Sequence, residues 1–190
     1  MLIALSGPSG IGKGFIKQAL LARYPEITEL AWLTTRPLRE GELAGGNRIH
    51  VSRTCFATLE AQGKCVLVQE LYGNRYGLLS AQLHGTQPRL TEMHPGNVQE
   101  IIRLHPNIYL IGLVTDDLSL LHDRLVIRGD VDQKNEERLD AAKAEMSLIH
   151  GMRHLYNFIF IITRENESEM CGHVLNTIGG LLNITSEGVS

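Results

Sequence analysis

The chain is predicted to be an α/β protein, with a central, mostly parallel sheet flanked by helices. Three observations point there. Short apolar runs alternate with amphipathic helical runs along most of the chain. A glycine-rich turn, SGPSGIGKGF at residues 6–15, sits between a strand-like run and a helix-like run. NIYLIGLV, residues 107–114, is strongly β-prone and reads as a central, fully buried strand.

The elements follow in order. LIALS is a short apolar strand, and GKGFIKQALLARY is a helix with Phe15, Ile16, Ala19 and Leu20 on one face, ended by Pro25. TELAWLT reads as one strand. TRPLREGELAGGN, residues 35–47, is turn-rich; RIHVS is a short strand, and Ser52 caps the helix RTCFATLEAQ. CVLVQEL is a strand and YGN a turn. After these come the strand RLTEM and the helix GNVQEIIRLH. The helix DDLSLLHDRLVIRG opens on acids and stops at Gly129, and DQKNEERLDAAKAEMSLIH is a second long helix. FIFIIT is the last strand, residues 168–183 a closing helix, and NITSEGVS a frayed tail.

Composition sets the limits. The 190 residues, 43% hydrophobic and 21% charged, suit one soluble domain. Residues 1–34 and 85–190 read as its core, 35–84 as an inserted lobe, and about 124–138 as a helical lid. The net charge of −3 implies no general attraction to nucleic acid or membrane, so phosphate binding must come from local arginines. Cys55, Cys65 and Cys171 lack zinc spacing and read as free thiols in a reducing compartment. The opening apolar run is too short for a signal-peptide core, and no run approaches a membrane helix. The expectation is a cytoplasmic protein. Eight scattered histidines show no metal-ligand pattern; His150 and His154, four apart, lack a third ligand.

The glycine-rich turn has the spacing of a phosphate-binding loop. Its glycines let backbone N–H groups turn inward, the helix N-terminus adds partial positive charge, and Lys13 faces the transferred phosphate. Gly7, Pro8, Ser9, Gly10, Ile11, Gly12, Lys13, Gly14 and Phe15 are the candidate ATP-binding residues. Gly14 stands where the pattern asks for the hydroxyl that touches Mg²⁺. Arg36 and Arg39, three apart in a polar loop, suit bidentate phosphate recognition. Arg124 and Arg128 share a helical face and would reach one phosphate together.

The ordered set of phosphate loop, TTRPLREGE, GNRYG, RLVIRG and RLDAAKAE resembles guanylate kinases, over residues 2 to about 182. The resemblance implies a P-loop kinase fold with an acceptor lobe and an ATP lid. It implies ATP and Mg²⁺ as cofactors, GMP as the acceptor, and no protein metal ligands named from sequence. By position, it assigns acceptor-phosphate contacts to Arg36, Arg39 and Tyr76, lid contacts to Arg124 and Arg128, and a contact on the following helix to Arg138. Lys13, Arg36, Arg124 and Arg138 would stabilise the transferring phosphoryl group.

Departures from the family pattern cluster where the base is read. Trp32 replaces a serine, Arg48 a tyrosine, Leu67 the guanine-reading glutamate, and Leu78 a hydroxyl. The acidic pair before the PG becomes Thr91 and Met93, leaving Glu92 on the opposite face by alternation. Near the adenine, Thr163, Arg164 and Glu165 depart as well. Arg48 adds a cation for the acceptor phosphate, and Glu70 would replace the lost glutamate if its strand carries a bulge. Two alternatives stay open: a kinase for a phosphorylated sugar, as ribose 1,5-bisphosphate phosphokinases are, and a non-catalytic guanylate-kinase-like binding module.

Overall fold

The computed structural model describes residues 1–38, 47–71, 73–127 and 134–187. Strand β1, Leu2–Ser6, is wholly buried and leads into helix α1, Lys13–Arg23. Tyr24 closes α1 by donating its N–H to the Leu20 carbonyl, and Pro25 disfavours helical geometry in the residue before it. Ile16, Lys17 and Leu20 are the buried stripe of α1, whereas Phe15 is 59% exposed. The inward face predicted from Phe15 is thus turned by about one residue, roughly 100° around the axis.

The run TELAWLT is two strands. Thr28–Glu29 (β2) pairs with one sheet and Trp32–Thr34 (β3) with another. Between them the backbone crosses from sheet to sheet, and the Gln82 amide holds the crossing. Ala31 N–H donates to Gln82 Oε1 at 2.7 Å, and Gln82 Nε2 donates to the Ala31 carbonyl at 2.8 Å. Both polar groups of a residue outside either ladder are thereby satisfied. Trp32–Thr34 therefore lies with the second sheet, although the core half was expected to run to residue 34.

Next come β4, Arg48–His50, and α2, Arg53–Ala61, capped by Ser52, whose side chain accepts from the Cys55 N–H. Strands β5, Cys65–Leu71, and β6, Asn74–Leu79, form an antiparallel pair joined through Gly73 at φ 71°. The turn is where YGN predicts it, but β6 was not foreseen. Beyond these lie β7 at Arg89–Met93, α3 at Val98–Leu104 and β8 at Ile108–Val114. Helices α4, Leu118–Ile127, and α5, Lys134–Gly151, are followed by β9, Phe158–Ile161, and α6, Glu167–Glu187. Asp117 accepts from the Ser119 and Leu120 N–H groups, as the acidic start of α4 requires. Gly129, the predicted stop, lies outside the described residues. Helix α6 runs through the segment expected to fray, as far as Glu187.

The first sheet has the order β2-β7-β1-β8-β9 and all its pairs are parallel. Its centre is β1; β8 lies beside it, buried except at Ile108–Leu110's half-buried middle residue, Tyr109. The second sheet is mixed, in the order β4-β3-β6-β5. One of its faces packs Leu33, Phe56 and Cys65 into a small core under α2; the other carries Trp32 and Leu78 into the main core. Arg75 stays on the α2 face, bonded to Glu60 at 2.7 Å and lying over the Phe56 ring. All three cysteines are free, and burial, followed by nearby charges, pushes the Cys65 thiol up to about 11. No described helix is long and apolar enough to cross a membrane.

Gly77 marks the tightest point of the small core. A Cβ there would overlap Cys65 Sγ and lie 3.1 Å from Phe56 Cζ. Gly77→Ala is expected to cost about 1–3 kcal/mol by overpacking. Thermal unfolding should show a lower Tm, with part of the loss recovered when Cys65→Ala is added.

Candidate active site: a cleft between the two sheets

A cleft of about 580 Å³ opens between the sheets. Its floor is the loop from β1 to α1. Gly10 and Gly12 hold φ of 86° and 106°, which glycine adopts without strain. Gly7 is needed for a different reason: a Cβ there would sit 2.5 Å from the Leu113 carbonyl oxygen of β8. Helix α1 has no side-chain cap and no acid in its first turn, so no anion from the helix itself competes for its opening N–H groups and dipole. Lys13 Nζ arches over the loop, donating to the Gly7 carbonyl at 2.5 Å and to the Pro8 carbonyl at 2.9 Å.

The remaining phosphate-loop candidates divide by position. Gly7, Ser9, Gly10, Gly12, Lys13 and Gly14 line the cleft. Ile11 is buried and anchors the loop in the core. Pro8 contributes its carbonyl to Lys13, and Phe15 points outward on the exposed side of α1. Arg124 stands behind the loop, not in the cleft. Its Nη1 donates to the Gly10 and Ile11 carbonyls at 3.1 and 3.0 Å, and its guanidinium pairs with Glu167 of α6. Arg128 lies outside the described residues.

The second sheet supplies one wall. Arg48, Trp32 and Tyr76 project from neighbouring strands, with Arg36 from the loop after β3, and all four line the cleft that Lys13 lines. Arg36 is positioned by its backbone, which donates to Thr34 Oγ1 at 3.1 Å and accepts from the His50 ring at 2.8 Å. Trp32 spends its indole N–H on Thr91 Oγ1 at 2.9 Å, tying the two sheets together. Arg39 lies outside the described residues. Arg138 and Glu137 line the cleft from α5, which also meets the end of β7 where His94 Nε2 lies 3.5 Å from Glu145 Oε1.

Glu70 does not face the cleft. The bulge anticipated in β5 exists, with an extra residue between Val66 and Gln69 and Leu67 at φ 54°. It lies upstream of the stretch that matters. Val66 and Leu67 both turn toward the main core, alternation then resumes, and Gln69 and Leu71 face the cleft. Glu70 sits opposite Arg75 on the α2 side and is exposed. Leu67 is fully buried, its N–H donating to Glu100 Oε1 at 3.1 Å.

Glu92 also differs from expectation. Alternation does turn it away from Thr91, but that side is the α1 side, where the cleft's floor begins, so Glu92 lines the cleft together with Met93. Buried Lys17 bridges it to Glu29, at 2.7 Å from Glu92 and 2.6 Å from Glu29. Burial acts to raise the Glu92 carboxyl, but Lys17, with Lys13 and Arg48 further off, outweighs it and holds the group below its usual range. Neither Lys17 nor Gln69 carries a motif signal. The charge pattern of Lys17, Glu29 and Glu92 was legible only once three elements were brought together.

The family model for guanylate kinase matches residues 1–178 of this chain. The chain is 34% identical over 150 residues to the guanylate kinase of a Nostoc species, a match covering 76% of this chain and 75% of that protein. It is 30% identical over 180 residues to the guanylate kinase of Bacillus subtilis, covering 92% and 85%. Among solved structures, guanylate kinase from Anaplasma phagocytophilum shares the fold with a TM-score of 0.72 at 20% identity, over 95% of this chain and 84% of that one.

Lys17→Met leaves two carboxylates facing each other, one of them well buried, and is expected to destabilise the fold by roughly 3 kcal/mol near neutral pH. The sign with pH follows from the direction of the Glu92 shift. In the parent chain the folded carboxyl titrates below the unfolded one, so its contribution is full above about pH 4.5 and is lost as pH falls through the folded value. In the variant, unpaired burial raises the carboxyl instead. Urea unfolding should therefore show the gap between parent and variant narrowing from neutral pH toward acid.

Proposed function

This chain belongs to the guanylate kinase family, and on that premise we propose that the cleft seats ATP and GMP end to end and transfers the γ-phosphoryl group between them. The observation that carries the reading is the convergence of Lys13, Arg36, Arg48, Tyr76 and Arg138 on one cleft whose floor is a phosphate-binding loop. We assign the donor to the five-stranded half, residues 1–31 and 85–190, and the acceptor to the four-stranded lobe, in which Trp32–Thr34 joins residues 35–84. Segment 124–138 is the proposed lid.

The chemistry follows from charge. An oxygen of the acceptor phosphate attacks the γ-phosphorus in line, the bond to the β-phosphate oxygen breaks, and ADP leaves. Little covalent work falls to the protein, so positioning and charge neutralisation supply most of the rate. The loop N–H groups hold the donor phosphates, while Lys13, drawn from its loop carbonyls, meets charge building on the bridging oxygen. Arg36, Arg48 and Tyr76 hold the acceptor phosphate, joined by Arg39 from its loop. Arg138 enters from α5 against the equatorial oxygens. Arg124, bonded to loop carbonyls, keeps the loop in shape. Closure of α5 over the cleft would exclude water, the competing nucleophile.

Magnesium, when bound to the nucleotide phosphates, would neutralise part of their charge. The site fits it in a reduced form. Gly14 offers no hydroxyl, yet Glu92 Oε1 lies 4.0 Å from where a Cβ on Gly14 would be, making it the carboxylate nearest that position. Among the described residues there is no group of three or more metal-ligating side chains, so phosphates and water would complete the coordination.

The sugar-phosphate and non-catalytic readings are set aside, since the matched relatives are guanylate kinases and Lys13 is in place. A cytoplasmic setting is proposed from the three free thiols.

A coupled ADP-release assay with GMP, the other nucleoside monophosphates and ribose 1,5-bisphosphate tests the proposal. Turnover is expected with GMP, and Lys13→Ala should lower kcat by about a hundredfold or more. No turnover above background with any monophosphate would remove the proposal, and turnover with ribose 1,5-bisphosphate alone would replace it.

A further inference from the structure

Gln69 faces the cleft from β5, directly opposite Tyr76 in the register. Its amide has no hydrogen-bond partner among the described residues, though the side chain is half-buried. The bulge at Val66–Leu67 puts it there, sending the neighbouring carboxylate of Glu70 to the α2 side. As a result, no described carboxylate of the second sheet faces the cleft. Glu29 and Glu92 belong to the five-stranded sheet and are held by Lys17. The indole N–H of Trp32 on this wall is already given to Thr91, and the wall's other polar side chains are those of Arg36, Asn47, Arg48, Asn74 and Tyr76.

An amide and a carboxylate recognise different edges. A carboxylate presents two acceptors and complements two adjacent N–H groups. An amide presents one acceptor beside one donor and complements an N–H next to a carbonyl. Guanine has both edges: N1–H beside the 2-amino group, and N1–H beside O6. Hypoxanthine has only the second.

We infer that Gln69 reads the acceptor's base, taking the N1–H and O6 edge of a 6-oxopurine and leaving the 2-amino group unread. This rests on the reading above that the acceptor is a nucleoside monophosphate. Leu71, beside Gln69 on the same strand, gives the base an apolar flank. A group that no protein acceptor contacts contributes little to discrimination, so GMP and IMP should be used about equally.

The test measures kcat/KM for GMP and for IMP, with ATP as donor, in the parent chain, Gln69→Leu and Gln69→Glu. Thermal unfolding shows that each variant folds. The parent should use IMP within about fivefold of GMP, and Gln69→Leu should lose about tenfold or more with both, chiefly through KM. Gln69→Glu restores two acceptors and should favour GMP over IMP by about tenfold. A parent that prefers GMP by more than about a hundredfold overturns the assignment while leaving GMP phosphorylation standing. So does a Gln69→Leu variant unchanged with both nucleotides. Turnover of neither nucleotide by the parent overturns the assignment together with the proposed function.

Discussion

Helix α1 begins without a side-chain cap and without an acid in its first turn. A helix N-terminus left in that condition is a concentrated patch of N–H donors and positive dipole, a ready seat for an anion. Much of the surrounding structure holds this end open and in place. Gly7 lets the loop lie against β8, Gly10 and Gly12 supply the left-handed turns, and Ile11 pins the loop to the core. Arg124 grips the loop from behind through two carbonyls, and Glu167 holds Arg124.

So much positive potential in one place needs compensation that does not compete with the ligand. Lys17 and the two glutamates beside it illustrate the solution. Glu29 and Glu92 lower the charge under the loop, yet Lys17 occupies them, so they neither fold over the loop nor repel a phosphate as bare carboxylates would. The same three residues join α1 to β2 and β7, which makes the ion pair structural as well as electrostatic. Opposite, the second sheet turns cations and neutral amides toward the cleft and keeps its described carboxylates on the α2 face.

What could be read from sequence was what is local in sequence. The phosphate loop occupies a few consecutive residues between a strand and a helix, and Arg36 sits in a short polar turn, so both are recognisable without knowing the fold. The capping roles of Ser52 and Asp117 are equally local. Features that depend on distant partners were not legible. The strand break after Glu29 is held by Gln82, 51 residues from Ala31. Strand β6 was hidden because Gly77 weakens its pattern, and its need for glycine comes from Cys65 and Phe56 packed against it. Glu70 and Gln69 exchange faces according to where one extra residue is absorbed, and that is decided by Val66 and Leu67 packing into the main core. Phe15 shows the same limit on a helix: a shift of one residue in the buried stripe moved it from the core to the surface.

The central claim is that one cleft holds donor and acceptor phosphates at once, on opposite sides of Lys13. Calorimetry with a single molecule in which adenosine and guanosine are joined at their 5′ oxygens by a chain of phosphates tests it most directly. If both sites are present and face each other, the joined compound should bind at least about a hundredfold more tightly than ATP alone, because its second half binds without a second loss of translational freedom. Affinity equal to that of ATP would mean that Arg36, Arg48 and Tyr76 do not form an acceptor site in line with the loop, and would contradict the account.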